Sequence, residues 1–279
     1  MTLDQSIQTL VKMALAEDLG EIGDVTSQAT IGLEAIRHGE IVAKCGGVVA
    51  GLPVVSAVYQ AVDPAVEIAP QVLDGDQVAA GTIVCTFEGG ARSLLTGERT
   101  ALNFLQHLSG IATLTRQFVD AVAGTKTAIL DTRKTTPGWR LLEKYAVRMG
   151  GGQNHRIGLY DAVMIKDNHI VAAGGVTAAV EKVRAYPPAQ NLPIILEVET
   201  LDQLDEALAL NVNQILIDNM DETTMKQAVE ITAGRVPLEA SGNMSLERVK
   251  AVAATGVDFI SVGALTHSAP AFDFSMRLQ

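Results

Sequence analysis

From about residue 127 onward the chain alternates short β-branched runs with amphipathic segments at nearly constant spacing, and this rhythm limits the possible folds more than any other feature. The runs are TAILD (127–131), AVMIK (162–166), PIILEVE (193–199), QILID (214–218), PLEAS (237–241) and DFISV (258–262). Between the last four lie LDQLDEALAL, DETTMKQAVEIT and SLERVKAVAAT, with apolar residues at i, i+3, i+4 spacing and an Asp or Ser near each N-cap. Comparable points on those four runs stand 21, 21 and 22 residues apart. Tight βα units fit that length, so the pattern predicts a parallel sheet, closed as a barrel or open as a doubly wound layer. The polar residues favour the barrel. Each run is apolar until its C-terminal end and then delivers a polar group: Asp131 with Arg133 and Lys134, Lys166, Glu197 with Glu199, Asp218, Glu239 with Ser241, and Ser261 with Gly263. Barrel enzymes gather their active sites at that face.

Residues 1–115 read differently. Helical segments near 3–17 and 96–123 flank β-like stretches at 39–44, 47–51, 66–70 and 82–87, joined by turns such as Asp74-Gly75-Asp76 and Glu88-Gly89-Gly90. This is the pattern of a smaller α+β domain. Thr96 is the expected cap of the 96–123 helix, Gly124 its expected stop, and the helix is expected to bridge the two domains.

Charge narrows the ligand. Residues 126–166 carry eight Lys/Arg against three acids, inside a chain of net charge −11 and pI about 4.9. A local positive island in an acidic protein suits a pocket for a small polyanion, whereas a nucleic-acid surface usually raises the pI of the whole domain. An anionic membrane is disfavoured on the same ground. The longest apolar runs, such as 47–58, fall short of the roughly 18 residues that span a bilayer, and the amphipathic, acidic N-terminus does not read as a secretion signal. A cytoplasmic location is therefore expected. Cys45 and Cys85 form no metal-spaced cluster and read as reduced core thiols.

The motifs point to anion chemistry. There is no GxxxxGK[ST], strand-linked GxGxxG, GxSxG, HExxH or CxxC. The loop Asp131-Thr132-Arg133-Lys134-Thr135-Thr136-Pro137-Gly138 follows a strand and sets an Arg beside a Lys, a bidentate grip next to a point charge. Gly150-Gly151-Gly152 permits close backbone approach before Gln153-Asn154-His155-Arg156. Lys166 stands just beyond a buried strand, where its charge calls for an anion. Glu197 and Asp218 end successive strands and could hold Mg²⁺ or vicinal sugar hydroxyls. Ser241-Gly242-Asn243 and Gly263-Ala264 end the last two strands with small residues whose N–H groups could cradle phosphate. Arg99 reads as a solvent-facing helix residue, and His38 and His107 read as structural.

Taken together, GERTALNFLQHLSGIAT, LDTRKTTPGWRLLEKYAVRMGGGQNHRIGLYDAVMIKDNHI, LEVE, LIDNM, LEASGN and ISVGALTHS resemble the quinolinate phosphoribosyltransferase family over essentially the whole chain. The resemblance implies an incomplete α/β barrel of the type II phosphoribosyltransferase kind, residues 113–266, with a smaller N-terminal α/β sandwich domain, residues 1–112, which the C-terminal 267–279 rejoins. It implies transfer of phosphoribosyl from phosphoribosyl pyrophosphate to quinolinate with loss of CO₂, Mg²⁺ as the metal and no organic cofactor. It also implies a homodimer in which Arg99 reaches the neighbouring subunit's site. Arg99, Arg133, His155, Arg156 and Lys166 would then hold the quinolinate carboxylates. Lys134, Ser241, Gly242, Asn243, Gly263 and Ala264 would line the phosphoribosyl pyrophosphate site, with His267 near its phosphate end, and Thr132 would be a further substrate-binding residue. Glu197 and Asp218 would meet the ribose hydroxyls and Mg²⁺, and Lys134, Lys166, Glu197 and Asp218 would carry the catalysis. Asn243 stands where relatives often have a second Gly. A Schiff-base aldolase using Lys166 and a non-catalytic oxyanion-binding relative are the competing readings.

Overall fold

The computed structural model describes all 279 residues, and Cα packing divides them into two units. The first holds Met1–Arg116, Thr135–Gly151 and Leu265–Gln279; the second holds Gln117–Lys134 and Gly152–Ala264. In chain order the elements begin α1 (Leu3–Leu19), α2 (Val25–Thr30), β1 (Ile36–Ala43), β2 (Gly47–Val48), α3 (Leu52–Val62), β3 (Glu67–Pro70), β4 (Gln77–Val78), β5 (Ile83–Gly90) and α4 (Ala91–Ala121). There follow β6 (Ala128–Leu130), α5 (Arg140–Met149), β7 (Val163–Ile165), α6 (Asp167–Ala173), α7 (Val176–Ala185), β8 (Ile194–Val198), α8 (Leu201–Ala209) and β9 (Gln214–Asp218). The chain closes with α9 (Glu222–Thr232), β10 (Leu238–Ser241), α10 (Leu246–Ala253), β11 (Phe259–Ser261), α11 (Ala264–His267) and β12 (Phe274–Leu278).

In the second unit six parallel strands lie in the order β6-β11-β10-β9-β8-β7. From β7 to β11 chain neighbours are sheet neighbours, β11 returns to pair with β6, and the missing pair is β6 with β7. That is an α/β barrel left open at one seam. The segment after Gly152 enters the seam: Gln153 bridges Leu130, its N–H donating to the Ile129 carbonyl at 2.8 Å and its carbonyl accepting from Asp131 N–H at 3.1 Å. Ala162, Ile195 and Leu216, with Met164 against them, form an apolar layer. Two helices, α9 and α10, start at the caps expected from sequence, Asp221 and Ser245, while α8 is capped by Thr200 rather than by an Asp or Ser. Thr200, Asp221 and Ser245 accept from the N–H groups of Gln203, Thr224 and Arg248, each worth about 1 kcal/mol.

The first unit is built on an antiparallel sheet, order β12-β1-β5-β3. The C-terminal strand closes its edge, from Gly39 opposite Leu278 to Ala43 opposite Phe274. Several local expectations change here. Thr96 caps nothing: α4 begins at Ala91, directly after the Gly89-Gly90 end of β5, and the Thr96 hydroxyl donates to Asp24 instead, at 3.2 Å. Residues 47–51 yield only a two-residue strand, and the apolar run beyond them becomes α3, with Pro53 in its first turn. Cys85 is in the core as expected, but Cys45 is exposed. The stretch 135–151, placed by sequence inside the barrel domain, packs with the first unit. Gly150 shows why. A Cβ there would stand 2.4 Å from the Ala112 carbonyl oxygen on α4, so only Gly lets the end of α5 come this close. No helix is long and apolar enough to cross a membrane.

Candidate active site

Parallel register brings the strand-end residues of the second unit to one face. Ser241 stands opposite Asp218, and Val198, the residue after Glu197, opposite Ile217. Asp131, Thr132, Arg133 and Lys134 leave β6 at the same level as Val262, whose N–H donates to the Leu130 carbonyl at 2.9 Å. The Thr132 hydroxyl accepts from Lys134 N–H at 3.0 Å, which turns the loop and leaves Lys134 exposed.

Lys166 ends β7 and its ammonium bonds the Glu197 carboxylate on the neighbouring strand. Glu197 is 7% exposed. Burial raises its pKa; Lys166 opposes that, and the Asp218 and Asp167 charges reinforce it. Lys166, Glu197 and Asp218 therefore form one interacting row along three adjacent strands. An ion-paired ammonium is a poor Schiff-base nucleophile, which tells against the aldolase reading. On the other flank, burial lowers the Arg156 pKa, the nearby Arg133 cation lowers it further, and Asp161 acts the other way. The Arg156 guanidinium also donates to the Ala162 carbonyl at 3.1 Å, and both guanidinium groups have the fork geometry that grips a carboxylate.

The small-residue ends of β9 and β10 interlock. Gly242 (φ +98°) lies against Asn219, whose N–H donates to the Ser241 carbonyl at 3.1 Å and whose side-chain amide donates to Asp218 at 2.8 Å. Arg248 on α10 ties the same two turns, donating to the carbonyls of Gly242 at 3.0 Å and Met220 at 2.9 Å and to Glu222 at 2.7 Å. The sequence reading missed both Asn219 and Arg248. The sequence offers a faint sign of the first, an Asn following the strand-end acid in LIDNM, where a left-handed conformation is least costly. Asn243, with φ 49°, is exposed. Gly263 precedes α11, which Ala264 opens.

Two expected residues lie in the first unit. Arg99 is exposed on α4, and His267 is exposed with its Nδ1 at 2.7 Å from the Ser268 hydroxyl. His155, expected as a carboxylate ligand, has partners within the protein. Its side chain is 8% exposed, Nε2 lies 3.1 Å from the Glu239 carboxylate, and Nδ1 accepts from Arg156 N–H at 2.7 Å. Both ring nitrogens are thus engaged by the protein. Glu239 is likewise no mouth residue, being wholly buried.

A model of the quinolinate phosphoribosyl transferase C-terminal domain matches residues 111–277, and one of the N-terminal domain matches residues 24–109. The chain belongs to the quinolinate phosphoribosyltransferase family. It is 49% identical to a probable nicotinate-nucleotide pyrophosphorylase [carboxylating] of Synechocystis, over 95% of this chain and 90% of that one. Its fold matches the nicotinate-nucleotide pyrophosphorylase structure from Francisella tularensis with a TM-score of 0.96 at 40% identity, covering 100% and 98% of the two chains. The NadC structure from Streptococcus pyogenes matches with 0.95 at 43% identity and the same coverage.

Proposed function

We propose that the protein transfers the phosphoribosyl group of phosphoribosyl pyrophosphate to quinolinate with loss of CO₂, giving nicotinate mononucleotide and pyrophosphate in the de novo synthesis of NAD. The observation that carries this reading is the Lys166–Glu197–Asp218 row at the strand ends of the barrel, with the Arg133 and Arg156 cations near enough to each other to interact. The cations suit a dicarboxylate, and the carboxylates suit ribose hydroxyls. In this reading Arg133, Arg156 and Lys166, with Arg99 from a second subunit, hold quinolinate so that its ring nitrogen faces C1 of the ribose. The nitrogen forms the C–N bond as the C–O bond to pyrophosphate breaks, through an oxocarbenium-like state that Glu197 and Asp218 stabilise from the hydroxyl side. The electron pair of the bond to the 2-carboxylate then stays on C2, stabilised by the adjacent cationic ring nitrogen, as CO₂ departs, and this carbanion takes a proton. Thr132, Lys134 and the turns at Ser241-Gly242-Asn243 and Gly263-Ala264 hold the phosphates, with His267 near them.

Mg²⁺ belongs to the proposal as a companion of the pyrophosphate. No group of three or more His, Cys, Asp or Glu side chains is arranged to hold a metal, so the two carboxylates Glu197 and Asp218 fit an ion whose remaining ligands are substrate oxygens and water. When bound it would offset charge on the departing pyrophosphate. The reading needs no organic cofactor, and it includes a cytoplasmic homodimer with shared sites. Incubation with quinolinate, phosphoribosyl pyrophosphate and Mg²⁺ should release CO₂ and pyrophosphate in equal amounts; equal use of nicotinate would overturn it. Inactive Arg99→Ala and Lys166→Ala subunits should regain activity when mixed, and no recovery despite subunit exchange would remove the shared site.

A further inference from the structure

The open seam between β6 and β7 raises a physical problem: the segment 154–158, which carries Arg156, has no complete strand ladder to fix it. Three carboxylates take that part. Asp131, wholly buried, accepts from the Asn154 side-chain amide at 2.6 Å and from His155 N–H at 2.8 Å. Asp161 accepts from the N–H groups of Ile157 at 2.7 Å and Gly158 at 2.8 Å. Glu239, inside the barrel on β10, receives three donors: the Ser261 hydroxyl on one oxygen, and on the other the Gln214 amide and His155 Nε2–H. Because His155 Nδ1 accepts from Arg156 N–H, the tautomer with hydrogen on Nε2 is the one this arrangement selects. A cavity of about 430 Å³, lined by His155, Arg156, Asp161, Gln214 and Phe259 among others, opens beside the ring.

We infer that Glu239 is a positioning residue for quinolinate binding: through His155 it fixes the main chain at Arg156 and so aims that guanidinium. The inference rests on the proposed reaction and extends it to a residue that touches neither substrate. It makes a distinction that a general role in folding would not. In Glu239→Gln the amide oxygen can keep His155 and Gln214 while the NH₂ donates to the Ser261 hydroxyl, which can accept. In Glu239→Leu all three bonds are lost at similar volume.

The experiment is a steady-state comparison of both substrates, starting with wild type. Absence of CO₂ and pyrophosphate release by wild type would remove the reaction and this inference with it. With an active wild type, Glu239→Leu should raise the quinolinate KM about tenfold or more, since small misplacements of a binding group are amplified in this way. The phosphoribosyl pyrophosphate KM should stay within about twofold, and Glu239→Gln should remain near wild type on both. His155→Leu should reproduce Glu239→Leu, and the double variant should be no worse than the worse single one, because both break one chain of contacts. A folded Glu239→Leu with an unchanged quinolinate KM, an equal rise in both KM values, or additive effects in the double variant would each overturn the inference while leaving the reaction standing. Should Glu239→Leu not fold, His155→Leu against Glu239→Gln carries the same comparison.

Discussion

Replacing Gly242 by Ala tests whether the turn after β10 is shaped for close approach or merely happens to contain glycine. A Cβ at Gly242 would lie 2.1 Å from Asn219 Oδ1, 2.8 Å from its Cγ and 3.1 Å from its backbone nitrogen. The Asn219 side chain is not free to step aside, since its amide is held by Asp218 and its N–H by Ser241. Gly256 supplies the control: its φ is +94° against +98° for Gly242, but an added Cβ there would meet nothing nearer than Val229 Cγ1 at 3.4 Å. Gly256→Ala should thus cost only the left-handed strain of about 1–2 kcal/mol. Gly242→Ala should add about 1–3 kcal/mol of forced displacement, for a total of about 2–5 kcal/mol. Urea unfolding of the two variants reads the difference, and the phosphoribosyl pyrophosphate KM should rise in Gly242→Ala alone. Asn219→Gly, which removes both side-chain contacts and suits φ +52°, should return part of the loss in a double-mutant cycle. Equal destabilisation of the two Ala variants, or no recovery with Asn219→Gly, would refute the reasoning.

Two further outcomes follow from the same face. Because burial raises the Glu197 pKa above the ordinary Glu value, the acid limb of the rate profile should begin above the ordinary Glu range and vanish in whatever residual activity Glu197→Gln retains. The sign for stability is the reverse of the usual carboxylate case. Between the unfolded and the raised folded pKa the native state holds the extra proton, so stability falls as pH rises through that window, and pH-dependent urea melts of wild type against Glu197→Gln should show the slope only in wild type. Arg248→Met should cost about 1–3 kcal/mol, as expected when charged donors to the Gly242 and Met220 carbonyls are lost. It should also weaken phosphoribosyl pyrophosphate more than quinolinate, as separate KM measurements would reveal.

The barrel was the most legible part of the chain. QILID is β9 residue for residue, and the other five runs each overlap their strand closely, because a strand buried on both faces must be apolar until it reaches the mouth. The rule that reads every strand-end polar residue as a mouth residue failed at Glu239. Its side chain turns inward to three donors on other segments, and no local pattern records partners 25, 22 and 84 residues away. Thr96 was misread because a good capping residue is also an ordinary helix residue when the helix has started earlier. The sequence row of Glu197 and Asp218 was readable from spacing alone, whereas the clamp by Arg248 depends on how α10 lies against two turns.

The partition of the chain bears on how it must fold. It leaves the first unit after Arg116, returns at Thr135, leaves again after Gly151 and comes back at Leu265. Neither unit is an uninterrupted stretch, so neither can be cut out and expressed whole. On the ribosome, β1 waits for a partner strand more than two hundred residues downstream. Until β12 emerges, one edge of that sheet stays open with its N–H and C=O groups unpaired, a template for pairing with the wrong chain. Refolding should be limited by this late closure rather than by the local βα units, and premature termination before Phe274 should yield aggregates in place of a smaller working enzyme.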